Sequence, residues 1–361
     1  MLTTTIATTY IVGATVATPR EAAKPGFLPY IHNFRAIAIL FIVAIHCYGI
    51  LKPDMEPIIL QRGTLLFMFI SGFLFQYLSR NFDKGIYWRK KFSNVLIPYF
   101  FISFPIILIR ISTHNHVSQM EAIFPGFADK PALIQMAEYY LTGMHLVPFW
   151  FIPMICFYYL LGPAFIKLDR DKRFYYLLPL LMGLSLVVTR SFDLYKIHLA
   201  FVHYLSIYIL GMFTSRHHNR LLQLTDRVWP LLIGVAVVMV GIGIIFNQEQ
   251  IHYIEQFLYV QKLILCWTIL YSLWKLDARI ATKKFLVSNM SKLSDMSFGI
   301  FFLHYYFLYF IGLKMSNGEI YFTPNFTNFF LVICADIIFC VIILSILKQL
   351  LGKKSRYVIG Y

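Results

Sequence analysis

Long apolar stretches follow one another along most of this chain. From residue 33 to the C-terminus, runs of about 17 or more apolar residues alternate with short charged segments. A run of this length crosses the ~30 Å hydrocarbon layer of a bilayer when it folds as a helix. Backbone groups in lipid need the internal hydrogen bonds of a helix or of a closed barrel, and the continuous runs lack the alternation of barrel strands. The sequence therefore predicts an all-α, polytopic membrane protein.

About ten transmembrane helices are expected from these runs. Their predicted bounds are 33–51, 57–78, 94–112, 148–166, 174–189, 197–215, 228–246, 254–274, 296–313 and 326–350. Lys and Arg concentrate in the loops after the even-numbered spans and are sparse in the other loops, so the positive-inside rule predicts that both termini are cytoplasmic. The net charge of +15 then reflects this topology and contact with anionic lipid, and nucleic-acid binding is not expected.

The sequence divides into one membrane domain and two short ends. Residues 30–351 are expected to form the transmembrane domain, between a cytoplasmic N-terminal extension, 1–29, and a basic cytoplasmic tail, 352–361. In the longest outer loop, the segment PALIQMAEYYLTGM is expected to form an amphipathic helix at the membrane interface. The five cysteines show neither a CxxC pair nor metal-ligand spacing, so no disulfide and no metal site are expected.

The first span carries the strongest functional signal. Within NFRAIAILFIVAIHC, Arg35 and His46 are eleven residues apart, close to three helical turns, which places them on one helix face ~16 Å apart along the axis. A guanidinium near the cytoplasmic surface suits a phosphate or carboxylate, and a neutral imidazole deeper in the membrane can remove a proton from a hydroxyl. The pair also has a plainer interpretation, an arginine that anchors the span and a histidine that bonds a neighbouring helix.

Residues after the first span have a structural as well as a functional interpretation. Ser71 and Gly72 in FMFISGFLF permit close helix approach, and packing is their expected role. Arg89, Lys90 and Lys91 in RKKFSNVLIPYF would suit a polyphosphate at the cytoplasmic mouth, although an inside-positive loop has the same composition. The sequence alone leaves both roles open for this basic run.

Polar and aromatic residues in later spans also need an explanation. Trp150 and His145, in MHLVPFWFIP, are interpreted as an interfacial anchor and a loop residue, and His304, in FGIFFLHYYF, as a packing histidine. Lys262 and Asp336 lie inside predicted spans and would either pair with each other or serve a proton path. Arg110 is expected to extend to the outer interface.

These motifs, taken in order, resemble those of acyltransferase family three, membrane proteins that move acyl groups onto extracytoplasmic polysaccharides and related acceptors. The resemblance covers nearly all of residues 30–350. It rests on the Arg35 and His46 pair and on five ordered segments: FMFISGFLF, RKKFSNVLIPYF, FWFIP, YILGMF and SFGIFFLHYYF. The chain departs from the family pattern before Arg35, where YIHNF replaces an Asp-Gly pair.

The resemblance implies a donor, an acceptor and a set of site residues. It implies cytoplasmic acyl-CoA, expected to be acetyl-CoA, as donor substrate, with Arg35, Arg89, Lys90 and Lys91 near its phosphates and no permanently bound cofactor. His46 would be catalytic, as a general base or as an acyl carrier. Ser71, Trp150 and His304 would support the site. The acceptor would be a hydroxyl of a cell-envelope glycan or glycolipid, and the location the bacterial inner membrane.

A second class of function fits the same composition. A proton-coupled transporter or polysaccharide exporter with about ten spans would also place ionisable residues such as Lys262 and Asp336 in the membrane. Such carriers are often built from inverted repeats, and no paired short or broken spans repeat between the two halves of the sequence. The acyltransferase hypothesis is therefore preferred.

Overall fold

The computed structural model describes residues 26–53, 57–189, 196–249 and 253–361, and this part of the chain is helical, without strands. The residues of the predicted N-terminal extension up to 25 lie outside it. The helices are α1 Pro29–Leu51, α2 Thr64–Leu78, α3 Lys84–Lys91, α4 Ile97–Ser112, α5 Ser118–Ile123, α6 Ala132–Thr142, α7 Phe151–Asp169, α8 Leu178–Val187, α9 Ile197–Thr225, α10 Trp229–Gln248, α11 Ile254–Ala281, α12 Lys284–Ser316, α13 Phe326–Leu351 and α14 Ser355–Ile359.

Eight helical stretches of the described chain are long and apolar enough to cross a membrane. Two of the ten predicted spans differ: 57–78 contains a turn followed by α2, of 15 residues, and 174–189 contains a short 3-10 segment followed by α8, of 10 residues. Both helices fall short of the ~20 residues that a spanning helix needs. Hydropathy registers apolar residues in turns as well as in helices. By helix length the described chain supports eight spans, and the count of ten stays a prediction.

Helix α2 lies at the centre of the bundle. It is antiparallel to α1, because Phe69 contacts Phe34 and the Tyr77 hydroxyl, near the end of α2, donates to the Gly26 carbonyl just before α1. It is parallel to α9, since Ser215 Oγ donates to Gln76 Oε1 at 2.8 Å, close to the C-terminal end of α2. We call the end of the bundle where α1 begins, and where α2, α7 and α9 end, the basic end.

Two glycines let α2 and α9 touch backbone to backbone. A Cβ atom on Gly72 would collide with the main chain of Tyr208, and one on Gly211 would collide with the main chain of Phe69. Main-chain atoms in packed helices cannot move aside as a flexible side chain can. The close helix approach expected from Ser71 and Gly72 thus has its physical basis in the second residue, and Ser71 beside it is half-buried.

Substitution of Gly72 by valine should therefore destabilise the fold. We expect Gly72→Val to cost about 3 kcal/mol or more, because the added methyl groups overpack a backbone contact. Gly241→Val is the matched control, since a Cβ on this α10 glycine meets no atom within 4 Å. Thermal unfolding of both variants in detergent, followed by size-exclusion chromatography, measures the difference. Equal unfolding midpoints for the two variants would contradict the close contact.

The segment between α4 and α7 forms a small satellite core at the end of the bundle opposite the basic end. Tyr139 and Phe127 are fully buried there, whereas Leu133 and Leu141 of α6 are exposed. The predicted segment is thus an amphipathic helix, Ala132–Thr142, with polar and aromatic groups packed inwards and leucines outwards. Exposed leucines of this kind are typical of helices that lie at a membrane interface.

The C-terminal residues, predicted as a basic tail, fold back onto the bundle. Helix α14 packs on α4, and Ser355 and Ile359 are buried. Ser355 Oγ donates to the carbonyls of Gly352 and Tyr361, and Lys348 of α13 lies over the Tyr361 ring. Ser355 and Ile359 therefore belong to the packed domain, whereas Arg356, Tyr357 and the two lysines of this segment are exposed.

Candidate active site

Arg35 and His46 lie on one unbroken helix. α1 runs from Pro29 to Leu51 without interruption, so the eleven-residue spacing turns the two side chains by only about 20° from a common face, about 16 Å apart along the axis. Both residues face α12. Arg35 Nη2 donates to Ser297 Oγ at 2.9 Å, and the His46 ring lies 5.4 Å, centroid to centroid, from the rings of both His304 and Tyr305. The two helices run parallel, and their shared seam contains both positions.

The Arg35 position is lined by small hydroxyl residues of α12. Besides Ser297, Ser291 and Ser294 approach His32, at 3.2 and 3.0 Å. Asp295, which is largely exposed, lies 3.8 Å from His32 and also acts electrostatically on Arg35. The arginine is therefore held by a hydroxyl rather than by a direct ion pair, which leaves its charge available to an anion.

The sequence analysis missed this group because it placed residues 284–295 in a loop. In the structure α12 begins at Lys284, twelve residues before the predicted span. The signal was present in the sequence: Ser291, Ser294 and Ser297 recur every three residues, the spacing of one helix face. His32, in the segment where the chain departs from the family pattern, is their partner on α1.

His304 forms the deeper part of the site together with His46. Its Nδ1 lies 3.0 Å from the Ile300 carbonyl, four residues earlier in α12. A carbonyl only accepts, so Nδ1 carries the proton and Nε2 keeps its lone pair. That Nε2 atom is buried and has no hydrogen-bond partner among the described residues. The structure therefore places an imidazole with an unsatisfied acceptor beside His46, which is more than the packing role expected from the sequence.

The pairing of Lys262 with Asp336 suggested by the sequence is wrong. Lys262 Nζ donates to Gln261 Oε1 at 2.6 Å and to the Ile58 carbonyl at 3.3 Å, so it ties α11 to the turn before α2. Asp336 is fully buried on α13, where it accepts from the thiol of Cys340 at 3.5 Å. Asp336 also accepts from the thiol of Cys47 on α1, at 4.0 Å, so the two residues bond different neighbours rather than each other.

The predicted supporting residues occupy different places. Trp150 is buried and stacks on Tyr204 of α9, with ring centroids 6.0 Å apart. Its neighbour Phe151 contacts Phe301, one turn before His304 on α12. Trp150 therefore belongs to the packing that holds α7 and α9 beside the seam, whereas His304 belongs to the seam itself.

The basic run after α2 does not form one cluster. Arg89, Lys90 and Lys91 occupy consecutive positions of α3 and point in three directions, because successive helical residues are turned by about 100°. Lys91 Nζ lies over the rings of Tyr159, at 4.5 Å, and Tyr87, at 5.6 Å, whereas Arg89 and Lys90 are exposed. No hydrogen bond or ion pair within the described ranges joins them to Arg35.

Arg110 and His145 hold the satellite core. Arg110 Nε donates to the His145 carbonyl at 2.8 Å, and its Nη1 to the Asn115 carbonyl at 3.1 Å, so the arginine binds the outer segment rather than extending freely to the interface. His145 was expected to be a wet loop residue, but it is fully buried. Burial lowers the pKa of His145 to about 3, which keeps its ring neutral.

Fold and site together define a class: a helical, multi-pass membrane protein whose first span aligns an arginine and a histidine along one partner helix. The acyltransferase domain characteristic of acyltransferase family three matches residues 28–345, most of the chain. This protein belongs to that family and is a membrane acyltransferase. Neither a curated protein nor a solved structure gives a significant match to it.

Proposed function

We propose that this protein transfers an acyl group, acetyl in the simplest case, from cytoplasmic acyl-CoA to a hydroxyl of a cell-envelope glycan or glycolipid. The observation that carries the proposal is the seam between α1 and α12, in which Ser297 holds Arg35 and His304 lies beside His46. An anion-binding guanidinium and a pair of imidazoles on one line suit a donor that enters from the basic end and reacts deeper in the membrane.

We assign a chemical role to His46 and to His304. In direct transfer, His46 takes the proton of the acceptor hydroxyl, whose oxygen attacks the thioester carbonyl. The carbon–sulfur bond breaks, the ester bond forms, and the departing thiolate receives the proton. Alternatively, a nitrogen of His46 attacks the thioester carbonyl, the carbon–sulfur bond breaks, and the thiolate leaves with the proton that the ring releases. The acceptor hydroxyl then attacks the acyl-imidazole, the carbon–nitrogen bond breaks, and the hydroxyl proton returns to His46. In both routes the His46 ring carries an extra proton or a positive charge at one stage, and we assign the Nε2 lone pair of the neighbouring His304 ring to accept its N–H proton.

We also propose that the protein lies in the bacterial inner membrane and that its basic end faces the cytoplasm. In this proposal the chain crosses the membrane ten times, α2 and α8 are short crossings, and both termini are cytoplasmic. The antiparallel contact of α2 with α1 and its parallel contact with α9 support such an alternating path. The concentration of Lys and Arg at this end supports the same orientation.

Donor sidedness tests the proposal directly. Acyl-CoA does not cross a bilayer unaided, so vesicles of opposite orientation separate the two sides. We expect labelled acetyl-CoA to support transfer in inside-out vesicles and not in right-side-out vesicles. Transfer in right-side-out vesicles alone would reverse the proposed topology. A transporter or exporter would move its substrate without forming a labelled ester in either preparation.

Substitution of His304 should lower the rate of acyl transfer without weakening donor binding. We expect His304→Gln to reduce kcat on the order of 100-fold, the scale of a lost proton acceptor, with KM for acyl-CoA little changed. His203→Gln is the matched control, because His203 of α9 is also buried and its Nδ1 also faces backbone carbonyls, of Ser185 and Val188. Equal kcat values for both variants would remove His304 from the reaction.

A further inference from the structure

A cavity of about 920 Å³ opens at the basic end, between the C-terminal parts of α2 and α7 and the end of α9. It is separate from the seam between α1 and α12, and the run Arg89, Lys90 and Lys91 does not line it. Its ionisable lining residues are Arg80, Lys84, Lys167, Asp169, Arg170 and Arg216, and apolar side chains form part of its wall. A volume of this size accommodates a ligand far larger than a single phosphate.

A hydrogen-bonded network fixes the floor of this cavity. Asp169 Oδ1 accepts from Arg216 Nη1 at 3.0 Å, and its Oδ2 accepts from Gln76 Nε2 at 3.3 Å. The Oε1 atom of Gln76 in turn accepts from Ser215, and Tyr175 donates to Asp169. Three helices are thereby joined around one carboxylate. The network fixes the side of the cavity formed by α2, α7 and α9, and residues 79–82 and Lys84, at the connection from α2 to α3, also line it.

The charge of the lining is unbalanced. Among the described residues that line the cavity, Asp169 is the one carboxylate, and Arg216 pairs with it. Arg80, Lys84, Lys167 and Arg170 form no ion pair within the described ranges, and all four are exposed at the cavity. Four cationic groups around one concave space favour a ligand with several negative charges. The apolar walls suit a planar base or an alkyl portion of the same ligand.

We propose that this cavity binds the adenosine 3′-phosphate portion of acyl-CoA; the inference rests on the proposed function. Coenzyme A carries phosphate at two places, the ribose 3′-phosphate and the diphosphate. The cavity binds the first, and Arg35 is left for a part of the donor nearer the thioester. The bond from Tyr77 to Gly26, 2.9 Å long, places the cavity end of α2 beside the start of α1, so both anion sites belong to the same end of the bundle.

Dephospho-coenzyme A, which lacks only the 3′-phosphate, tests this assignment. The full chain in nanodiscs is titrated with coenzyme A and with dephospho-coenzyme A. We expect the wild type to bind coenzyme A at least about tenfold more tightly, the scale of one charge-assisted contact. In the variant Arg80→Gln, Lys84→Gln, Arg170→Gln this preference should disappear. The control is the triple variant Lys283→Gln, Lys353→Gln, Lys354→Gln. It removes three exposed lysines that lie at the same end but do not line the cavity, and it should keep the preference for coenzyme A.

A triple variant that still discriminates the two ligands would overturn the cavity assignment. The assignment would also be overturned if the triple variant lost its co-purified anionic lipid but kept the preference for coenzyme A, because the cavity would then hold a lipid headgroup. Should the triple variant unfold, Lys84→Gln alone, at an exposed position, is titrated in the same way and should show a reduced preference. Acyl transfer by the wild type is measured in parallel: binding of coenzyme A without transfer contradicts the proposed function and leaves the cavity assignment standing.

Discussion

Replacement of His46 by alanine is expected to reduce acyl transfer on the order of 1,000-fold while the chain stays folded and inserted. In either mechanism, as base or as acyl carrier, the imidazole takes part in bond formation, and losses of this size follow removal of such a group. His46 is only partly buried at the α1–α12 seam, so the smaller side chain leaves no closed core cavity. Initial rates of label transfer from acetyl-CoA measure the effect.

The matched control for this variant is His203→Ala. It removes a second histidine from a membrane helix, one that contacts α8 rather than α12. Abundance in the membrane and the unfolding midpoint should be preserved by His46→Ala at least as well as by the control. If His46→Ala transferred acyl groups at the rate of the control, His46 would have no part in the reaction, whatever the family resemblance implies.

Replacement of Arg35 by alanine should act on the donor instead. We expect KM for acyl-CoA to rise on the order of 100-fold with a much smaller change in kcat, because a charge-assisted contact to phosphate contributes roughly 1.5 to 3 kcal/mol. Arg35→Lys keeps the charge but loses the planar fork, and should lie between the wild type and alanine. Steady-state kinetics with varied acyl-CoA separates the two parameters.

Ser297→Ala distinguishes a donor contact from a structural role of Arg35. The serine bonds Nη2 of Arg35 and contributes no charge, so its loss should raise KM only a few-fold. Were Arg35 important only for joining α1 to α12, Ser297→Ala would mimic Arg35→Ala in both kinetics and stability. A KM unchanged in Arg35→Ala would exclude the proposed contact with the donor.

The sequence predicted those parts of the fold that depend on local composition. The helical class, α1 with both of its functional residues, and the amphipathic α6 follow from apolar length and periodicity within one segment. The ends of the helices were harder to predict from the sequence. α12 begins at Lys284, in a polar segment that hydropathy assigns to a loop, and α2 and α8 are shorter than their apolar runs, which include turns.

The partners of the site residues could not be predicted in the same way. Arg35 and His46 share a helix, so their spacing alone relates them, but Ser297 and His304 reach them only through the parallel packing of α1 on α12. The same limitation produced the incorrect pairing of Lys262 with Asp336. Two buried ionisable residues suggest a pair, yet backbone carbonyls and neighbouring side chains satisfied each of them separately.

Composition alone also could not predict the cavity at the basic end. Positive loops in a membrane protein indicate orientation, and Arg80 or Arg170 alone would carry no other information. Only the packing of α2, α7 and α9 around Asp169 turns these residues into the lining of one concave space. Consecutive basic residues such as Arg89, Lys90 and Lys91 are more conspicuous in the sequence, but helix geometry disperses them.

Transfer of radiolabelled acetyl from acetyl-CoA into envelope material, in inside-out vesicles that contain either the wild type or His46→Ala, tests the central claim most directly. We predict ester-linked label with the wild type and its loss in the variant at equal protein abundance. Equal labelling by the two proteins would contradict the assignment of His46. Absence of label from the wild type, with intact vesicles and acceptor-bearing envelope present, would contradict acetyl-CoA as donor and favour the exporter over the acyltransferase mechanism proposed for this seam.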